Sequence, residues 1–439
     1  MCIRDSLIGG GGIPQTRGAI NGRITYRHPF IELISKFAGG ILSVSAGLSL
    51  GREGPSVQIG SYVGCLVSRW THILKGERKQ LLAAGAGAGL AAAFAAPLAS
   101  SLIVIESIER FDAPKTAITT LLAGVVAGVI ATLVFPVNPY HLIEVSEPAL
   151  AFWVQMKYFL ILAVIISIVG KLYAAIMISF KRVYSAVKSP TSVKMFYLVL
   201  VAYIISLMQV NLTGGGEQFL LEQAQNGSTE MMWVLAVMLL HFGFSVCSVS
   251  SGLPGGNFIP TLVTGGLLGR FVGLIAVKYG IIGQESVTYV MLISMSAFLV
   301  AIERTPLTAI VLITEITGHF EVFYPSVVVG GLTYYFTELL QMKSFNVILY
   351  EDMVSSSDFQ EEKRYALSVE VMTGSYFDGK AVGELSLPEH CVIIGVHRDG
   401  KNLVPAETSL IPGDQVQIEM DSQDIEKLYE PLVSMANIY

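Results

Sequence analysis

A glutamate sits inside a glycine-rich, otherwise apolar run, Gly51-Arg52-Glu53-Gly54-Pro55. The run returns in altered form as Gly255-Gly256-Asn257-Phe258-Ile259-Pro260, and Gly10-Gly11-Gly12-Ile13-Pro14 is a third version. Each joins glycine, which lets a backbone approach a ligand closely, to proline in a first helical turn, where its missing N–H is harmless. A helix start leaves unpaired N–H groups and the positive end of the helix dipole. Several such starts converging at mid-membrane bind an anion without a full cationic charge, so the ion can leave again. A carboxylate there competes with the anion for the same N–H groups. Protonation neutralises it and lets it swing away, which makes Glu53 a candidate gate and proton carrier. The blander reading, a glutamate capping its own helix, is weakened by Arg52 beside it and by three such runs in one chain.

The elements that must position these residues come in two halves. Pro55 and Pro260 are each followed five residues on by glycine, Gly60 and Gly265. Ala96-Pro97-Leu98 leads to Glu106 nine residues past the proline, and Thr305-Pro306-Leu307 leads to Glu315 at the same offset. Internal repeats with Gly/Pro-interrupted helices point to a transport site near mid-membrane. The chain is 52% hydrophobic and 14% charged, with a mean hydropathy of +0.60. Apolar stretches at 81–105, 117–135, 152–180, 195–207, 231–246, 258–277 and 287–300 include several near the ~20 residues that cross a bilayer and several that fall short, as broken or tilted helices do. A soluble fold would have to bury all of them at once. The net charge of −6 does not orient the chain. The acid-free basic loop with Lys181, Arg182, Lys188 and Lys194 does, and it belongs in the cytoplasm. No signal peptide is visible. Four scattered cysteines and seven histidines show no ligand or disulfide spacing, so no metal site is expected. The glycine-rich loop so close to Met1 lacks an upstream anchor, which reads as a fragment or mis-called start lacking one or two helices.

The character changes after residue 350. Residues 351–366 read as a polar linker. Beyond it, 391–398 reads as a strand, Asp399-Gly400 as a turn, 401–404 as a returning strand, Pro412-Gly413-Asp414 as a turn, 415–419 as a strand and 423–435 as an amphipathic helix. This is a small soluble α+β domain over 367–439, and its shortness makes dimerisation through it plausible.

The three runs together resemble the signature motifs of the CLC family of chloride channels and proton/chloride antiporters, a match over about residues 9–350; the segment from Pro306-Leu307-Thr308 to Glu315 resembles the family's late helix. The resemblance implies an all-α polytopic membrane protein with two inverted repeats, followed here by a small α+β cytoplasmic domain. It implies a homodimer in the bacterial inner membrane, each subunit with its own anion path, and no enzyme. It makes Glu53 the external gating glutamate and places anion-binding groups at Gly10, Gly11, Arg52, Gly54, Asn257, Phe258 and Phe345. Three departures stand out. Gly11 occupies the place of the motif's anion-touching serine. Ser107, one residue after Glu106, occupies the place of the antiporters' internal proton glutamate. The central tyrosine is absent: ungapped alignment puts Asn346 there, while the apolar pattern with one gap favours Phe345. Glu106 and Ser107 remain the candidate internal proton path, with Glu109 or water as substitutes. The expectation is weak or absent proton antiport, with a passive or fluoride-type path as the alternative to a coupled exchanger. Residues 367–435, with Gly379-Lys380-Ala381-Val382-Gly383-Glu384-Leu385 and Leu387-Pro388, resemble the TrkA-C regulatory domain, with an unknown small ligand or none. Chloride and protons are the transported ions, with no cofactor and no nucleic acid. A cation channel lacks its Thr-Val-Gly-Tyr-Gly filter, and a hydrolase lacks Gly-x-Ser-x-Gly and His-Glu-x-x-His.

Overall fold

The proline- and glycine-punctuated apolar runs become fifteen α-helices among the described residues of the computed structural model. Those residues are 7–71, 75–109, 114–134, 143–208, 210–227, 229–356, 364–388, 391–398, 401–403, 408–421, 431–432 and 434–436. The first half carries α1 (Ile13–Ile20), α2 (Pro29–Ser45), α3 (Glu53–Trp70), α4 (Lys75–Phe94), α5 (Pro97–Ile103) and α6 (Pro114–Val134). Then follow α7 (Phe152–Ala186), α8 (Thr191–Leu207), α9 (Glu217–Asn226) and α10 (Met231–Ser250). The set closes with α11 (Phe258–Lys278), α12 (Val287–Glu303), α13 (Pro306–Thr317), α14 (Phe323–Leu339) and α15 (Phe345–Ser356).

The apolar run 81–105 is not one helix. Ala95 takes a left-handed φ of 53° and Ala96 is extended at φ −126° before Pro97, because a residue preceding proline is driven out of the α region. The chain restarts as α5 and passes into a π-turn at Val104–Glu109. That turn carries Glu106 and Ser107.

Among the described residues, five helices are long and apolar enough to cross a bilayer, α6, α7, α10 and α11 included. α11 and α12 are enclosed by their neighbours along nearly their whole length, whereas α6 exposes Ile118, Leu122, Val126, Val129, Ile130 and Leu133. Packing of α3 on α4 uses glycine as contact surface: a Cβ on Gly60 would collide with the Gly85 carbonyl, and one on Gly64 with the Leu81 carbonyl. Small residues let helix backbones approach this closely, the packing device favoured inside membranes.

The two halves meet through reciprocal contacts. Gly51 N–H donates to Gly256 O at 2.8 Å, and Gly256 N–H donates back to Gly51 O at 2.7 Å. The Glu106 carboxylate accepts from the N–H groups of Leu307 (3.0 Å) and Thr308 (2.8 Å) and from the Thr308 hydroxyl (2.7 Å), all at the start of α13. Glu315 repays the same contact on α5, accepting from Leu98 N–H (3.1 Å) and Ala99 N–H (2.9 Å). Residue i of one half touching j of the other, and the counterpart of j touching the counterpart of i, is two-fold pairing. The inverted repeat is thus written in hydrogen bonds.

A second compact unit, Val354–Tyr439, holds β1 (Arg364–Glu370), β2 (Val392–Arg398), β3 (Lys401–Leu403) and β4 (Gln415–Asp421) in one antiparallel sheet of order β1-β4-β2-β3. Residues 351–366, expected as a polar linker, carry regular structure where they are described: α15 runs on to Ser356, and β1 begins at Arg364. β1 pairs with β4 over seven residues, from Arg364 opposite Asp421 to Glu370 opposite Gln415, and its alternating Leu367 and Val369 join the core of Phe377, Val396, Val416 and Ile418. The Asp399-Gly400 turn and most of the 423–435 helix lie outside the described residues. At the Pro412-Gly413-Asp414 turn, Gly413 adopts φ 91°. Asp414 accepts two hydrogen bonds from the Arg398 guanidinium, each 2.7 Å, which hold its carboxyl below the usual range.

Candidate functional site

Glycine and proline decide where α1, α3 and α11 begin, and none of the three starts has a side-chain cap. The residue before α1 is Gly12, in left-handed conformation at φ 98°; before α3 it is Arg52 and before α11 it is Asn257. First-turn N–H groups left without caps are free to meet an external anion. Backbone contacts bring the three loops together. Gly10 N–H donates to Gly252 O and Gly255 N–H to Gly10 O, both at 3.1 Å, while Gly51 and Gly256 pair as described. A Cβ on Gly54 would come within 2.6 Å of Gly11 O, and one on Gly256 within 3.1 Å of Gly54 N. The loops that carry Gly10, Gly11, Gly54 and Asn257 therefore lie against one another. Phe258, the first residue of α11, is buried with its ring 5.6 Å from that of Phe94.

Glu53 stands at this junction, 1% exposed. Its carboxylate lies over Gly51, and its Oε2 is buried without a hydrogen-bond partner. Arg52, mostly exposed, approaches it at 3.7 Å and reaches Glu217, the first residue of α9, at 3.9 Å. An unsatisfied buried carboxylate oxygen at a helix start is the arrangement of an acid with a reason to move.

A lysine that sequence reading missed anchors the first loop. Lys36 of α2 is fully buried and donates to Ile8 O (2.9 Å) and Gly10 O (2.7 Å). A signal existed: Pro29, Lys36 and Ser43, spaced by seven, are the buried positions of an otherwise largely apolar helix. Periodicity alone could not tell which face of α2 was inward.

Ser107 and Glu106 line a cavity of about 710 Å³ together with Arg17, Glu303, Arg304, Ser344 and Glu351. Both Glu106 oxygens are engaged by α13, so it acts here as a cap. The Glu109 side chain lies outside the described residues. Phe345, 2% exposed, sits between the cavity-lining Ser344 and Val347, whereas Asn346 turns its Nδ2 to Glu303 Oε2 at 2.6 Å. Tyr173 of α7, also missed, donates its hydroxyl to Asn257 Oδ1 at 3.1 Å.

Uncapped, converging helix starts in a two-fold repeated helical membrane fold define a transporter or channel for small anions. The sequence model of the voltage gated chloride channel family matches residues 2–338, and the chain belongs to that family. The model of the TrkA-C domain matches residues 366–433. Among solved structures, the chain is similar to a slow cyanobacterial Cl−/H+ antiporter at 26% identity and a TM-score of 0.73, covering 80% of this chain and 82% of that one. It shares its fold with a CLC-type fluoride/proton antiporter (20% identity, TM-score 0.61, 74% and 80% covered). The fold also matches a eukaryotic CLC transporter (20% identity, TM-score 0.64, 88% and 68% covered). The protein is an integral membrane protein.

Proposed function

We propose that this protein moves chloride across the membrane through a gated path contained in each subunit, with Glu53 as the gate. One observation carries the reading. Three helix starts without side-chain caps meet backbone to backbone, and a buried carboxylate stands among them. Gly10, Gly11, Gly54, Asn257 and Phe258 line the anion path, and Lys36 holds the Gly10 loop in shape. The family is one of transporters, and chloride is cargo rather than a resident cofactor.

Homodimer formation through α5, α6, α13 and α14 is part of the proposal, supported by Leu98, Leu122, Val126, Leu307, Val327 and Tyr335, all exposed apolar side chains. The proposed location is the bacterial inner membrane with the TrkA-C-like unit in the cytoplasm, the side favoured by the basic loop between α7 and α8. Purified protein in chloride-loaded liposomes, with a potassium ionophore to balance charge, should release chloride in proportion to the protein added. Release no faster than from protein-free vesicles would refute the reading.

A further inference from the structure

We propose that Glu303, at the end of α12, is the internal proton acceptor of this protein, taking the part that Ser107 cannot. The proposal rests on the reading of Glu53 as the chloride gate and adds the acid that would supply it with protons.

A serine hydroxyl does not take up and release protons near neutral pH, and the adjacent Glu106 has both carboxylate oxygens occupied by the start of α13. Glu303 lines the same 710 Å³ cavity as Ser107. It is 4% exposed, and its Oε2 accepts a hydrogen bond from a neutral amide, Asn346 Nδ2, at 2.6 Å. The sequence places either Asn346 or its neighbour Phe345 at the central-tyrosine position. Glu303 thus contacts the residue at that position or the one next to it.

The charges around the cavity have other engagements. Arg304 follows Glu303 but takes a left-handed φ of 59° as the helix ends. That turn carries its guanidinium to α14, where it binds Tyr334 O, Thr337 and Glu338 and lies 4.2 Å from the Tyr334 ring centroid. Lys343 pairs with Glu351 at 3.0 Å, and the Arg17 guanidinium lies over the Tyr350 ring at 5.2 Å. A buried carboxylate held by an amide instead of a cation keeps both protonation states within reach, which a proton carrier needs.

Between α7 and the start of α11 stands a second group of polar side chains. On α7 the Tyr173 hydroxyl donates to Asn257 Oδ1 and lies 3.5 Å from Thr261 Oγ1. Asn257 Nδ2 is buried without a partner. Asn257 is the residue before α11 and follows Gly256, which pairs with Gly51 two residues before Glu53. Polar groups of this kind hold ordered water in a protein interior. The step is a proton transfer in two stages. A hydronium ion arriving through the cavity gives a proton to the Glu303 carboxylate and is left as water, and the resulting carboxylic acid passes the proton through water along Tyr173 and Asn257 to the Glu53 carboxylate. Glu303 returns to its anionic form, and neutral Glu53 releases the helix start.

The test compares wild type, Glu303→Gln and Glu303→Asp in proteoliposomes, recording chloride flux and proton uptake in the same vesicles under a chloride gradient. Wild type should drive uphill proton uptake. Glu303→Gln should lower the number of protons moved per chloride at least tenfold, and Glu303→Asp should restore at least part of that ratio. A merely structural role would lower both fluxes and leave the ratio unmoved, which would overturn the proposal. So would wild-type chloride flux without proton uptake, a result that leaves the chloride reading standing. Absence of chloride flux in wild type would overturn both.

Discussion

If Glu53 is the gate as proposed, replacing it by glutamine removes the charge that holds the path shut and keeps its shape. The carboxylate sits at the start of α3, where a partly buried anion gains up to about 2 kcal/mol from the helix dipole. Arg52, 3.7 Å away but largely solvated, adds at most about 1 kcal/mol. Losing roughly 3 kcal/mol of closed-state preference shifts the open-to-closed ratio by about a hundredfold. Observed chloride flux should therefore rise by one to two orders of magnitude. The sign of the pH effect follows from the same charge. Acid protonates Glu53 and opens the path, so wild-type flux should rise as pH falls, whereas Glu53→Gln flux should stay level. The assay is chloride efflux from liposomes with inner and outer pH stepped together from 7.5 to 4.5. Glutamine-variant flux equal to wild type and still rising in acid would refute the argument, because some other group would then be the gate.

Glu106→Gln and Glu315→Gln should each lower the melting temperature of the detergent-solubilised protein, since hydrogen bonds to a charged group contribute about 1.5–3 kcal/mol each and each carboxylate holds two or three of them. Glu106→Gln should leave the proton-to-chloride ratio in place; a lost ratio would make Glu106 part of the proton path. Gly11→Ser should tighten chloride binding by calorimetry about three- to tenfold, since the new Cβ meets Gly256 Cα at an ordinary 3.5 Å and the hydroxyl adds a donor worth about 1 kcal/mol; unchanged affinity would place the central anion elsewhere. Deleting residues 355–439 should preserve the chloride-over-other-anion preference while changing transport rate or the stability of the proposed dimer, because two tails on such a dimer would interact at an effective concentration on the order of mM; altered preference would put selectivity in the tail.

Local chemistry was legible from the sequence. Helix starts are set by a few neighbouring residues, so Gly10-Gly11-Gly12-Ile13-Pro14, Gly51–Pro55 and Gly255–Pro260 could be recognised as helix starts before any fold was known. The nine-residue spacing from Pro97 to Glu106 and from Pro306 to Glu315 announced the repeat, and the 415–419 strand with its Pro412-Gly413-Asp414 turn was visible for the same local reason. β1 was not, because the charged residues before Arg364 made its alternation look like linker.

Which helix faces meet was decided only by tertiary structure. Glu106 finds its partner 201 residues away and Glu315 finds its own 217 residues away, and no local pattern says that a carboxylate on one repeat will cap a helix of the other. Lys36 looks like a surface lysine of a short helix until α2 turns it onto the Gly10 loop. Glu303 looks like the polar end of a membrane helix until the left-handed turn at Arg304 carries the neighbouring positive charge away and leaves the carboxylate facing Asn346 in the cavity. Helix starts are local and travel with the sequence, whereas the partner of a buried charge is a property of the packing.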